Sequence, residues 1–157
     1  LRDLIGDVSS GYDVKLEKDV ALEWQAPDQS VTVNTDRRKL RMILEQLLAN
    51  AIQFTESGNV TVAASAGADG KHVTLSVADT GIGIPAESHS MIFEKFTQLD
   101  GSTTRAHEGI GLGLYLVRKF VELLGGEINI SSAVGVGSKF EVTLPAQSEA
   151  EQLMTER

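Results

Sequence analysis

Apolar positions along the chain follow two spacings, and the changes between them mark the elements. Leu1, Leu4, Ile5 and Val8 keep helical spacing, with Gly11 placed to close a short helix. "VALEWQ" (20–25) alternates Val20, Leu22 and Trp24 as a strand does; Pro27 and Asp28 make a turn, and "VTV" (31–33) reads as a second short strand. Asp36 is placed to N-cap a helix whose apolar stripe is Leu40, Ile43, Leu44, Leu47, Leu48, Ala51 and Phe54, ended by Gly58 and Asn59. "VTVAA" (60–64) and "VTLSV" (73–77) alternate on either side of Asp69-Gly70, a hairpin signal. Residues 79–108 carry no long periodic pattern, and in a compact domain a stretch of that length is usually functional or disordered. A helix through Ile110, Leu114, Val117, Val121 and Leu124 stops at Gly125-Gly126, and "EINIS" (127–131) and "KFEVTL" (139–144) form two more strands around "AVGVGS".

The order predicts an α/β protein. Hairpins dominate, so the sheet is expected to be mixed and largely antiparallel, with the helices on one face in a two-layer sandwich. Residues 1–145 make one domain and the polar stretch 146–157 a tail or linker.

Composition narrows the function. The 157 residues suffice for one core, and 41% hydrophobic with 23% charged residues is a globular balance. A net charge of −8 disfavours nucleic acid, whose phosphates need a basic footprint. With no cysteine, disulfides and thiolate metal sites are excluded, and a cytoplasmic setting fits. No apolar run approaches the roughly 18 residues of a membrane span, so direct membrane insertion is not expected. No signal peptide is visible, and the first residue, Leu1, makes the chain read as a fragment of something longer.

Three stretches carry candidate chemistry. In "QLLANAIQF" (46–54), Gln46, Asn50 and Gln53 fall within an arc of roughly 60° at one edge of the apolar stripe. They are either solvated amides on a boundary face or the polar wall of a pocket, where an Asn oxygen suits Mg²⁺. In "DTGIGIP" (79–85), Asp79 ends a strand as a candidate acceptor for an amine such as that of adenine, and Gly81 and Gly83 permit tight turning; taken alone, a plain Asp/Gly turn is the more ordinary reading. In "EGIGLGLYLV" (108–117), Gly109, Gly111 and Gly113 lead into a helix, exposing N–H groups at its positive end, an arrangement suited to phosphate. A simple hinge is the alternative. The stretch is neither a Walker A loop nor a dinucleotide fingerprint, since Leu114 stands where the third glycine would be.

Together, in this order, the stretches resemble the ATP-binding catalytic domain of sensor histidine kinases, in the group that includes gyrase, heat-shock chaperone and mismatch-repair ATPases. "LRMILEQLLANAIQFT" resembles the family's N box, "DTGIGIP" its first glycine box, "IFEKFTQLD" its phenylalanine box, "STTRAHEGIGLGLYLVRKFVELLGGEI" its second glycine box and "GVGSKFEVTLP" its closing strand. The resemblance implies a Bergerat-type fold and a set of roles. Asn50 would hold Mg²⁺ bridging the ATP phosphates, and Gln46 and Gln53 would flank it. Asp79 would accept from the adenine amine, with Gly81 and Gly83 shaping the pocket. Gly109, Gly111, Leu112 and Gly113 would meet the phosphates at the hinge of a lid (85–108) anchored by Phe93 and Phe96, and Arg105 would contact the γ-phosphate.

Two positions depart from the family's pattern. Gln46 stands where Asn is usual, and Gln53 where Lys commonly adds charge near the phosphates. Related hydrolases carry a Glu at the position of Gln46 to activate water. Glu45 lies about 100° round the helix, so a kinase is favoured over a hydrolase. No histidine has the context of a phosphoacceptor: His72, His89 and His107 lack the surrounding motif. The resemblance therefore implies ATP and Mg²⁺ as cofactors. Its partners would be a histidine-bearing dimerisation domain outside this chain, through which the protein would form a homodimer, and a response regulator. The alternatives are a degenerate nucleotide-binding regulatory module, or an ATPase or serine kinase of the same superfamily.

Overall fold

The computed structural model describes residues 1–12, 19–27, 33–97 and 112–146. In chain order these form α1 (Arg2–Tyr12), β1 (Asp19–Gln25), α2 (Arg37–Phe54), β2 (Ser57–Ala66), β3 (His72–Asp79), α3 (Gly113–Leu123), β4 (Glu127–Ala133) and β5 (Gly137–Pro145). Two single turns of 3₁₀ helix, Ala86–Ser88 and Met91–Phe93, lie between β3 and α3. The strands form one sheet in the order β1-β2-β3-β5-β4, with β1 parallel to β2 and the other three pairs antiparallel. The expected mixed, largely antiparallel α/β architecture is what forms.

The central helix α2 starts where its sequence says it should. Asp36 accepts from the backbone N–H groups of Arg38 and Lys39 at 3.0 and 3.1 Å, satisfying two donors that a helix leaves open. Its stripe of Leu40, Ile43, Leu44, Leu47, Leu48 and Ala51 is buried against the inward residues of the sheet, among them Val60, Val62, Val73, Leu75, Val77, Val142 and Leu144. Leu4, Ile5 and Val8 of α1 and Val117 and Val121 of α3 complete the core. Burying a side chain of this size is worth about 1.5–3 kcal/mol.

The ends of the elements differ from the sequence expectation in places. Gly11 lies inside α1, not beyond it. Helix α2 stops at Phe54, with Thr55 fully buried and its hydroxyl donating to Ala51 C=O at 2.7 Å; Gly58 and Asn59 belong to β2. Phe54 itself is partly exposed, although Ala51 before it and Thr55 after it are buried. Helix α3 ends as expected at the paired glycines: Gly125 takes φ +72°, its N–H bonds Glu122 C=O at 3.1 Å, and that of Gly126 bonds Val121 C=O at 3.0 Å. Val33 is not part of a strand, and Val31, Thr32, Asp28 and the tail from 147 lie outside the described residues.

Candidate functional site

The first glycine stretch and the start of α3 lie along the polar edge of α2. At its C-terminal end, Ile82 N–H bonds the carbonyl of Phe54 at 3.3 Å. A Cβ on Gly81 would overlap that same carbonyl, so glycine is required for this approach. About two turns earlier, a Cβ on Gly113 would stand 2.7 Å from Oε1 of Gln46. The start of α3 is therefore seated beside Gln46. From Gln46 to Phe54 the helix rises about 12 Å. Asn50 and Gln53 lie half-buried on this interval, while Gln46 is exposed.

Asp79 lies half-buried at the end of β3. Its Oδ1 accepts from Gly81 N–H at 2.9 Å and Ser138 N–H at 3.3 Å. Oδ2 has no partner among the described residues. Burial pushes this carboxyl above its ordinary value, opposed by the two N–H donors. The first glycine turn is closed from the other side by the β4–β5 hairpin. Gly83 has φ +72°, and a Cβ there would overlap Ala133 C=O. Gly135 N–H bonds Ile82 C=O at 2.8 Å, and Ile84 N–H bonds the Ser132 hydroxyl at 2.8 Å. His89 adds a third tie. Its Nε2 lies 3.0 Å from Ile84 C=O and, facing an acceptor, must carry the hydrogen.

Two lysines stand about the Tyr115 ring near the start of α3, one of them, Lys119, paired with Glu122 at 2.8 Å. The Lys95 ammonium lies 4.9 Å from the centroid of the Tyr115 ring and that of Lys119 5.9 Å from it. Leu112 N-caps this helix without a side-chain hydrogen bond, so no side chain of the cap residue takes up the helix's first N–H groups. The one acidic residue beside Gln46 in sequence is directed elsewhere: Glu45 pairs with Arg41 at 2.8 Å. Burial, and then the charge of Glu45, raise the phenol of Tyr12, which puts that carboxylate on the α1 side of α2.

The structure thus brings Gln46, Asn50, Gln53, Asp79, Gly81, Gly83, Leu112 and Gly113 onto the elements that meet along α2. Arg105, Gly109 and Gly111, with His107 and Ile110, lie outside the described residues. Of the two phenylalanines expected to anchor a lid, Phe93 is buried, edge-on to Phe140 with centroids 6.2 Å apart. Phe96 is not: it is 69% exposed with φ +59°, a left-handed backbone unusual for a bulky residue. The sequence does not single out Ser132 and Ser138, and it weighs His89 only as a histidine without a phosphoacceptor motif. The pairing of Gly135 and Gly137 ahead of Ser138 was the available signal, and it read only as a glycine-bearing turn.

Among the described residues no group of three or more His, Asp or Glu side chains could hold a metal ion. An amide oxygen such as that of Asn50 remains compatible with Mg²⁺, which keeps waters and shares phosphate oxygens instead of needing an all-protein cage.

Residues 35–148 match the model of the histidine kinase-, DNA gyrase B- and HSP90-like ATPases. The chain belongs to this ATPase family. Within it, the chain is 42% identical over 132 residues to the circadian input-output histidine kinase CikA of Synechococcus elongatus, a match covering 84% of this chain and 17% of CikA. The chain therefore spans about a sixth of that relative. Among solved structures of the family, the catalytic domain of histidine kinase ThkA superposes with a TM-score of 0.78 at 26% identity, covering 93% of this chain and 94% of ThkA's. Full-length ShkA, in complex with AMPPNP, superposes with a TM-score of 0.77 at 31% identity over 94% of this chain and 30% of ShkA. The fold is that of histidine kinase catalytic domains. No helix among the described residues is long and apolar enough to cross a membrane.

Proposed function

We propose that residues 1–145 bind Mg-ATP and supply its γ-phosphate to a histidine on a separate dimerisation domain in two-component signalling. Residues 85–108 would serve as the lid and 146–157 as a tail or linker. The observation that carries this reading is the Asp79 carboxylate. One oxygen is fixed by two backbone N–H groups, and the other is left open between two turns that only glycine can form. Such an acceptor suits an exocyclic adenine amine. The likeness to ShkA, solved with AMPPNP, supports a nucleotide here.

In this reading the purine lies against Asp79, Gly81 and Gly83, and the phosphates run along Gln53, Asn50 and Gln46 toward Leu112 and Gly113. Gly109, Gly111 and Arg105 would close over them. Asn50 would hold Mg²⁺, which when bound would neutralise phosphate charge. The acceptor imidazole nitrogen attacks the γ-phosphorus in line. A P–N bond forms, the bond to the bridging oxygen breaks, ADP leaves and the imidazole gives up its N–H proton. The chain's contribution is positioning and electrostatics. The intact protein would act in the cytoplasm as a homodimer through the dimerisation domain, and would pass the phosphoryl group to a response regulator.

Gln53 favours a second reading, a nucleotide-sensing module without transfer, because a neutral amide stands where the family commonly has Lys. Gln46 and the Arg41-paired Glu45 both weigh against a hydrolase. Incubation with γ-labelled ATP separates these readings. A kinase domain leaves this chain unlabelled and puts acid-labile label on a supplied histidine-bearing domain. Binding without transfer supports the sensing module, steady phosphate release a hydrolase, and label on this chain contradicts the missing acceptor.

A further inference from the structure

The β4–β5 hairpin holds a serine that the scheme above does not use. Ser132 and Ser138 are cross-strand partners, and their hydroxyl oxygens lie 2.8 Å apart. Ser132 Oγ is also 2.8 Å from Gly137 C=O and 2.8 Å from Ile84 N. A hydroxyl has one hydrogen and two lone pairs. Only one assignment satisfies every group: Ser132 donates to Gly137 C=O, and accepts from Ile84 N–H and from the Ser138 hydroxyl. Its capacity is then full.

The consequence follows from peptide planarity. The Gly137 carbonyl and the Ser138 N–H belong to one rigid plane. Holding the carbonyl end fixes the direction of the N–H end, and that N–H is one of the two donors to Asp79 Oδ1. Gly137 sits at φ +127°, where nothing intrinsic to the residue fixes this plane. A donor on the carbonyl also polarises the plane and strengthens its N–H. On its accepting side Ser132 ties down the peptide between Gly83 and Ile84. One hydroxyl therefore joins the two turns that flank Asp79.

We propose that Ser132 is a positioning residue for purine discrimination: its hydroxyl orients the Gly137–Ser138 peptide and so sets where the Asp79 carboxylate meets the base. This rests on the adenine reading of Asp79. It predicts an effect on which purine is preferred, beyond any effect on stability.

The test is paired calorimetric titration of Mg-ATP and Mg-ITP, whose 6-oxo group replaces the amine, into the wild type, Ser132→Ala and Ser132→Thr. Removing the hydroxyl orphans Ile84 N–H and takes away the side-chain tie on the 137–138 plane, which the strand pairing of β5 otherwise holds. The preference for ATP over ITP should narrow about tenfold in Ser132→Ala, in keeping with the loss of a half-buried hydroxyl that makes three hydrogen bonds. Ser132→Thr keeps the hydroxyl in a strand that suits a β-branched residue, and should retain the preference. If Ser132→Ala does not fold, Ser132→Cys, similar in shape but a weak donor, must narrow the preference in the same direction. A folded Ser132→Ala with a lower Tm and an unchanged ATP-to-ITP ratio would show Ser132 to be merely structural and overturn the proposal alone. A wild type without preference between the two nucleotides overturns the adenine reading, and this proposal with it.

Discussion

Replacing Asp79 by Asn alters a single atom of the side chain, and its effects on folding and on binding should have opposite signs. The Asn oxygen can still accept from Gly81 and Ser138 N–H, which lie 2.9 and 3.3 Å from Oδ1 in the wild type. The NH₂ group then takes the place of the open Oδ2 and presents a donor to the adenine amine. Two donors facing each other in a half-buried site cost about 1–3 kcal/mol, and an acceptor that carried charge is lost as well. ATP should weaken by about ten- to a hundredfold. Folding without nucleotide should not suffer. Burial raises the Asp79 pKa, so the native state holds this proton more tightly than the unfolded chain. With the native state binding more protons, stability falls as pH rises from the ordinary carboxylate range through the raised native value, and stays lowered above it. Asn has no such cost. Nucleotide-free Asp79→Asn should match or exceed the wild type in Tm at neutral pH, and its advantage should shrink toward zero as the pH falls below the ordinary carboxylate range. Calorimetric titration with Mg-ATP and thermal melts across a pH series give both quantities. Unchanged ATP affinity in a folded variant, or a large loss of nucleotide-free stability, would refute the reasoning.

Three further substitutions test the glycine turns and the polar edge of α2. Gly83→Ala sets a Cβ against Ala133 C=O at φ +72°, and should abolish ATP binding and lower Tm; Gly70→Ala has a similar φ of +66° but open space around it, and should cost only about 1 kcal/mol with ATP affinity unchanged. Gln53→Lys should tighten ATP by a modest factor, and ADP by less, because charge-assisted hydrogen bonds are about twice as strong as neutral ones; the gain should shrink with added salt in paired titrations.

What could be read from the sequence divides along physical lines. Helix α2 was legible because its stripe repeats every three to four residues and Asp36 caps it. The β2–β3 hairpin was legible because Asp69-Gly70 permits the turn, Gly70 at φ +66°. Both are local properties. Strand partners are not: nothing in "VALEWQ" tells that β1 lies parallel to β2, or that β5 inserts between β3 and β4. Asp79, Gly81 and Gly83 could be singled out, but the reason each glycine is needed lies in distant carbonyls, those of Phe54 and Ala133. Ser132 escaped notice for the same reason, since its importance comes from Ile84, forty-eight residues away. Period and motif position mark both Phe54 and Phe96 as packed residues, yet both are exposed. Periodicity and motif position identify hydrophobic residues, but whether a neighbour arrives to cover them is settled by tertiary structure.

The central claim is that a nucleotide lies along the polar edge of α2, with its base on Asp79. Titrating Mg-ATP into ¹⁵N-labelled protein and following the amide resonances tests it most directly. Saturable shifts are expected at Gly81, Gly83 and Ser138 around the base, and at Asn50 and Gly113 toward the phosphates, while Thr74 and Lys71 at the far end of the sheet stay still. The same titration with Asp79→Asn should need at least tenfold more ATP. Saturating Mg-ATP that moves none of these amides, or that moves the far end of the sheet instead, would contradict it.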